Sequence, residues 1–225
     1  MSLINRYLAV KQRIDDCKCK YNLERNIDLL AVSKKHSIDK IRQLFDLGQK
    51  SFGESYVDEA LKKIESLSDL EIEWHFIGPL QSNKSKYIAQ HFAWVHSIDS
   101  LKLLRRLNAQ RQTIDNNLNV LLQLKVGDEL TKRGLSAEAL IDLASESQQF
   151  LNLTIRGLMC IPAPSDDIKV QKLQFDECYA VYQEMQKIIP VDTLSMGMSA
   201  DLESAIISGT TMVRIGTDIF GSRTG

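Results

Sequence analysis

Residues Asp28–Gly48 read DLLAVSKKHSIDKIRQLFDLG. The apolar run Leu29-Leu30-Ala31-Val32 stops at two lysines, Lys34 and Lys35. Beyond them Ile38, Ile41, Leu44 and Phe45 recur at helical spacing, so the stretch is a strand followed by a helix. Ser37 is set to cap the start of that helix, and Gly48 to end it. The unit delivers a lysine to the point where its strand leaves the sheet.

The same unit repeats along the chain. SFGES (51–55) precedes a helix carrying Val57, Ala60, Leu61 and Ile64. IEWHFIG (72–78) precedes the short helix NKSKYIAQ, and FAWVHSI (92–98) a helix marked by Leu101, Leu104 and Leu107. LNVLLQLKV (118–126) is the plainest strand, and a helix around Leu140, Ile141 and Ala144 follows it. LTIRGLMCI (153–161) leads into a long helix with Cys178, Val181, Tyr182, Met185 and Ile188. TLSMGM (193–198), a helix from about Ser199 to Ser208, and TMVRIG (211–216) complete the series. The opening segment, with Ile4, Tyr7, Leu8 and Ile14 at helical spacing, reads as an extra N-terminal helix. Eight strands alternating with helices predict parallel pairing and a single α/β (β/α)8 TIM barrel. A doubly wound open sheet is the rival arrangement. No linker or low-complexity segment divides the chain, so residues 1–225 are expected to form one domain.

The 28 basic and 29 acidic residues leave a net charge of −1, which argues against a general nucleic-acid or membrane-surface binder. No apolar run reaches the roughly 20 residues that span a bilayer, and the charged N-terminal segment lacks a signal peptide's apolar core. The four cysteines, Cys17, Cys19, Cys160 and Cys178, match no zinc spacing and are expected to be reduced in the cytoplasm. No metal site is expected.

In a barrel of this kind the C-terminal ends of the strands form the active face. Those ends are Ser33-Lys34-Lys35, Gly53-Glu54-Ser55, Gly78-Pro79-Leu80-Gln81, Ser97, Val126-Gly127-Asp128, Met159-Cys160-Ile161-Pro162, Met196-Gly197-Met198-Ser199 and Arg214-Ile215-Gly216-Thr217. Rich in Gly, Ser and Thr with a few charges, they suit a small anionic ligand. Ser199 at a helix start, with Gly216 and Thr217 after the last strand, falls where barrels often bind phosphate. Ser199 can also be read as a plain N-cap, backed by Asp201 and Glu203. Strand alternation puts Lys34 on the side of Val32; if Val32 points into the barrel, Lys34 rises into its mouth and Lys35 lies outside. A partly desolvated lysine there can form an imine with an aldehyde; a lysine that only keeps a strand end in water is the plain alternative. Arg214, on the strand next to Lys34 in a closed barrel, can donate to a ring nitrogen or bond strand-end carbonyls. Lysine, phosphate cradle and arginine together suit pyridoxal 5'-phosphate (PLP), an aldehyde carrying a phosphate. His75 could line the mouth or serve as a satisfied core histidine. His36, His91 and His96 form no ligand spacing, and Cys160 has no assigned base.

LLAVSK, FGESY, WHFIGPLQSNK, IRGLMCIP, LSMGMSADLESAI and VRIGTDIFG, in this order, resemble the motifs of the pyridoxal-phosphate homeostasis proteins of the YggS/PROSC type. The resemblance runs from about Leu29 to Gly221. That family is similar to the N-terminal barrel of alanine racemase and of bacterial-type ornithine decarboxylases. It implies PLP carried as an aldimine on Lys34, with its phosphate held by Ser199, Gly216 and Thr217 and its pyridine nitrogen faced by Arg214. It further implies buffering or delivery of PLP without robust catalysis, with PLP itself and, transiently, PLP-dependent apo-enzymes as partners. One departure stands out: FGES has Ser55 where the family usually has asparagine. The alternatives are a PLP-dependent amino-acid racemase and a PLP-free class I aldolase-type barrel with a Schiff-base lysine. Racemase relatives carry a β-rich domain after the barrel that also makes their dimer. This sequence stops just after the last predicted strand, so a monomer is expected. No catalytic residue is assigned.

Overall fold

The computed structural model describes residues 1–127 and 133–222. Asp128, one of the strand-end residues above, lies outside them. The chain opens with α1 (Leu3–Lys20), followed by β1 (Asp28–Val32), α2 (Ile38–Asp46), β2 (Ser51–Glu54) and α3 (Val57–Ser66). Next come β3 (Glu73–Phe76), α4 (Ser85–His91), β4 (Trp94–Ile98) and α5 (Leu101–Arg111). Then follow β5 (Leu118–Leu124), α6 (Ala137–Ser147), β6 (Leu153–Cys160) and α7 (Ile168–Gln186). The last elements are β7 (Thr193–Ser195), α8 (Leu202–Ile207), β8 (Met212–Ile215) and α9 (Thr217–Phe220).

The strands pair in parallel in chain order, and β8 returns to β1 with Leu30 opposite Arg214 and Ala31 opposite Ile215. That closure excludes the open doubly wound sheet. It also explains why the strands read as almost continuous apolar runs: both faces of each are covered. Residues on one face, among them Ala31, Phe52, Phe76, Val95, Val120, Leu158 and Val213, pack on Ile41, Leu44, Ile88, Leu104 and Phe175 of the surrounding helices. Each such buried large side chain contributes roughly 1.5–3 kcal/mol. The opposite face fills the barrel interior with a smaller set, Trp94, Leu121 and Met159.

Helix α1 departs from its expected face. Ile4 and Leu8 are exposed, while Tyr7, Val10, Ile14 and Cys17 are buried. The reason is α9, a short helix that its four residues gave no periodicity to reveal. Arg6 on α1 donates to the carbonyls of Ile219 and Phe220 at 2.8 and 3.3 Å, and Arg13 pairs with Asp218 at 2.6 Å. These bonds rotate α1 so that its Tyr7–Val10–Ile14–Cys17 stripe faces inward. Ile188 falls beyond the end of α7 and is exposed, because that helix stops at Gln186. Gly48 follows the C-cap Leu47 as expected, and Ser37 occupies the N-cap position of α2 without a side-chain bond.

Gly157 in β6 has φ +145, and an added Cβ would lie 1.9 Å from the Thr193 carbonyl oxygen of β7. Gly157→Ala is therefore expected to destabilise the barrel by about 3–5 kcal/mol, since neither backbone strain nor overlap with a paired strand can relax cheaply. Urea unfolding checks this; a midpoint equal to wild type would refute it.

Candidate functional site at the barrel mouth

Lys34 lies two residues past the end of β1, and Val32 beneath it faces inward: a Cβ on Gly216 of the neighbouring β8 end would touch Val32. Strand parity therefore carries the Lys34 position to the inner side. Its side chain lines an open cavity of about 580 Å³ at the C-terminal mouth. Ser55, Tyr56, Ile77, Gln81, Lys84 and Ile161 share the wall. Lys84 is neutralised by Asp58 at 2.7 Å. Ser55, the departure from the family pattern, thus stands beside Lys34. Tyr56 escaped the sequence reading; as the residue after FGES, its place two residues past a strand end was the available signal.

The second half of the site lies where β7 and β8 end. The Ser199 hydroxyl accepts the Asp218 N–H at 3.3 Å, so it joins the two strand-end turns. It does not cap α8, as the N-cap reading has it: α8 begins at Leu202, and Asp201 occupies the N-cap position without a side-chain bond to the helix, its carboxylate accepting instead from the upstream Met198 N–H. The Ser199 O–H is left to donate. Among the described residues, the backbone N–H groups of Ser199, Gly216 and Thr217 have no acceptor. Unpaired amides beside a hydroxyl are what an anion needs. Gly216 has φ −115, a value any residue adopts, and a Cβ there would make an ordinary 3.4 Å contact with Val32. Neither backbone nor packing requires glycine at this position beside the end of β1. Arg13 reaches this corner from α1 and neutralises Asp218, which would otherwise repel an anion. Thr217 also borders a separate cavity shared with Arg6, Val10 and Arg13 of α1.

Arg214 lies deeper. It pairs with Leu30, two inward positions below Lys34, and is buried. Its guanidinium donates to the Ser195 carbonyl at 2.7 Å, the Ser195 hydroxyl at 2.8 Å and the Cys160 carbonyl at 2.8 Å. The reading as an arginine bonding strand-end carbonyls is thus correct in part. Its Nε–H and one proton on its second terminal nitrogen find no acceptor among the described residues, so it can still donate upward. Burial pulls its pKa below the ordinary value, yet a guanidinium keeps its proton. Lys34 and Arg214 sit on adjacent strands but do not share one cavity wall.

Below Arg214 the barrel is a polar stack. His75 bonds Glu73 at 2.8 Å and His96 at 2.9 Å, and His96 approaches Ser195 at 3.5 Å. Burial lowers the pKa of both imidazoles, His96 well below the usual range, so both are neutral at neutral pH. His75 is therefore a satisfied core residue and does not line the mouth. Cys160 and Cys178 are buried free thiols; the neighbouring Cys160, with burial second, pushes the Cys178 pKa up and leaves that thiol inert. Among the described residues no group of His, Cys, Asp and Glu could hold a metal ion. No helix among them is long and apolar enough to cross a membrane.

Known proteins are similar to this chain in sequence and fold. Residues 9–224 match the family described as alanine racemase, N-terminal domain. The chain is 45% identical over 205 residues to the pyridoxal phosphate homeostasis protein of Pasteurella multocida, covering 89% of this chain and 88% of that one. It superposes on PipY of Synechococcus elongatus PCC7942, solved with PLP bound, with a TM-score of 0.86 at 32% identity. That match covers 98% of this chain and 100% of PipY. Alanine racemase of Clostridium difficile 630 gives a TM-score of 0.76 at 14% identity over 96% of this chain and 57% of the racemase, a likeness of fold alone.

Proposed function

The chain belongs to the pyridoxal phosphate homeostasis proteins, built on the alanine racemase N-terminal domain, and we propose that it binds PLP with Lys34 as its covalent anchor. The observation that carries this reading is an inward lysine at the mouth of a closed barrel beside a cradle of amides without acceptors. The amides of Ser199, Gly216 and Thr217 and the Ser199 hydroxyl would hold the phosphate, and the two remaining protons of Arg214 would face the pyridine nitrogen. When bound, PLP supplies an aldehyde and a ring able to accept electrons.

The Arg214 proton stays on the guanidinium, so a ring nitrogen facing it accepts a hydrogen bond and remains unprotonated. That weakens the ring as an electron sink and favours a carrier over a versatile catalyst. We read the role as intracellular buffering or delivery of PLP, in the cytoplasm, by one barrel domain, with transient contact with PLP-dependent apo-enzymes. Tyr56 is the one observation that favours an amino-acid racemase, since it puts a phenol on the cavity wall. Racemisation of alanine or serine no faster than by free PLP is the expected outcome; a clear excess would make Tyr56 the base to mutate. A monomer is expected by light scattering at working concentration, and a clean dimer would refute it.

The direct test is to mix the protein with PLP, reduce with borohydride and map the labelled peptide. A yellow protein labelled at Lys34 supports the reading; no colour and no label sinks it.

A further inference from the structure

Lys34 and Lys35 are adjacent primary amines at one strand end, and amine chemistry alone does not choose between them. Attachment requires a lysine Nζ to replace the aldehyde oxygen. One C=N bond forms as the C=O bond breaks, water leaves, and nothing is oxidised or reduced. Either lysine could do this if it faced the ring. The choice therefore rests on the backbone that aims them.

The turn closes on its own bond, His36 N–H to the Ser33 carbonyl at 3.0 Å, and further ties from outside the loop fix how it sits. On one side of Lys34, the Ser33 N–H donates to the Gly53 carbonyl at 3.0 Å and the Ser33 hydroxyl to Glu54 Oε1 at 2.6 Å. The Ser33 carbonyl accepts from Lys63 Nζ at 2.8 Å. On the other side, the Lys35 N–H donates to Glu59 Oε1 at 2.6 Å. Lys35 itself has φ +63, the left-handed conformation that a residue with a Cβ adopts only when its surroundings insist.

Lys63 joins these ties. Its ammonium, on α3, bonds Glu54 at 2.8 Å and Glu59 at 2.6 Å as well as the Ser33 carbonyl, so all three of its protons are used. The Lys63 and Glu54 side chains are 6% and 0% exposed, and Glu59 is 28% exposed. A lysine this deep in the wall between sheet and helix needs a reason to be there. Its partners supply one: Glu54 reaches Ser33, and Glu59 reaches Lys35.

We propose that Lys63, acting through Glu54 and Glu59, is the positioning residue that selects Lys34 over Lys35 as the attachment lysine. The inference rests on the reading of Lys34 as the anchor of PLP. Without the Lys63 ammonium, the Ser33 carbonyl loses a donor and two carboxylates lose their shared counter-ion. The Lys35 turn is then free to leave its left-handed conformation, and the two lysines no longer point to fixed sides.

The experiment compares wild type, Lys63→Met and Glu59→Ala after saturation with PLP and borohydride reduction, reading the ratio of label on Lys34 to label on Lys35 by mass spectrometry. Circular dichroism and a thermal melt establish that each variant is folded. Glu59→Ala covers the case in which Lys63→Met does not fold, because it removes only a part-exposed carboxylate and the Lys35 N–H acceptor. The ratio is expected to fall about tenfold in each folded variant, the equivalent of one charge-assisted hydrogen bond. A general loss of stability lowers the melting temperature without redistributing label between neighbours. A ratio equal to wild type in a folded variant, whether or not total label falls, overturns the clamp. Wild type that carries no label on Lys34 overturns instead the underlying reading.

Discussion

Lys34→Ala will carry no borohydride-reducible PLP, and Lys35→Ala will carry as much as wild type. The difference follows from strand parity. Val32 is an inward residue of β1, so the Lys34 position continues the inner side and its side chain lines the cavity at the mouth. Lys35 is turned away by its left-handed backbone and tied through its N–H to Glu59. It is therefore not free to replace its neighbour in Lys34→Ala. Truncation at Lys34 opens no core cavity, and the loop keeps its bonds to Gly53, Glu54 and Lys63. The change in folding stability should stay within about 0.5 kcal/mol. Colour and label are thus lost while the melt is retained. Label lost from Lys35→Ala and kept by Lys34→Ala would mean that the inward and outward sides of β1 are exchanged.

The features of this molecule that could be read from its sequence are those with a local cause. Eight apolar runs separated by amphipathic stretches imply parallel pairing, and parallel strands need covering helices on the outside. Lys34 was legible because alternation along a strand survives two residues past its end. Ser199 and Gly216 were named because they follow the ends of β7 and β8, by four residues and by one. What escaped depends on contacts between distant segments. The inward face of α1 is set by α9, more than 200 residues away, so Ile4 and Leu8 looked as apolar as Val10 and Cys17. The role of Ser199 depends on Asp218, on another strand-end turn. Nothing in the local sequence singles out Lys63; only the fold shows it buried against Glu54. His75 and His96, 21 positions apart, meet because β3 and β4 are neighbours in the barrel.

Gly216→Leu is the substitution expected to remove PLP binding while keeping the barrel. Glycine at this position is not a demand of the fold. Its φ of −115 suits a side chain, and the first added carbon would rest 3.4 Å from Val32, an ordinary contact. The remaining carbons of leucine would project from that contact into the opening between β1 and β8. That opening is bounded by the amides of Gly216 and Thr217 and lies above Arg214. An anion held there by unpaired N–H groups loses both its space and its donors. Each such charge-assisted bond contributes about 1.5–3 kcal/mol, so losing even one or two should weaken PLP by about 100-fold. Titration with PLP followed by its absorbance, beside a thermal melt, measures both sides of the claim. A comparison with pyridoxal, which has no phosphate, locates the loss. Wild type should prefer PLP strongly over pyridoxal, and Gly216→Ala, which narrows the cradle by one carbon, should reduce that preference before it affects the melt. Wild-type affinity in a folded Gly216→Leu variant would mean that the cofactor's phosphate lies elsewhere, and that the unpaired amides at the ends of β7 and β8 serve no anion.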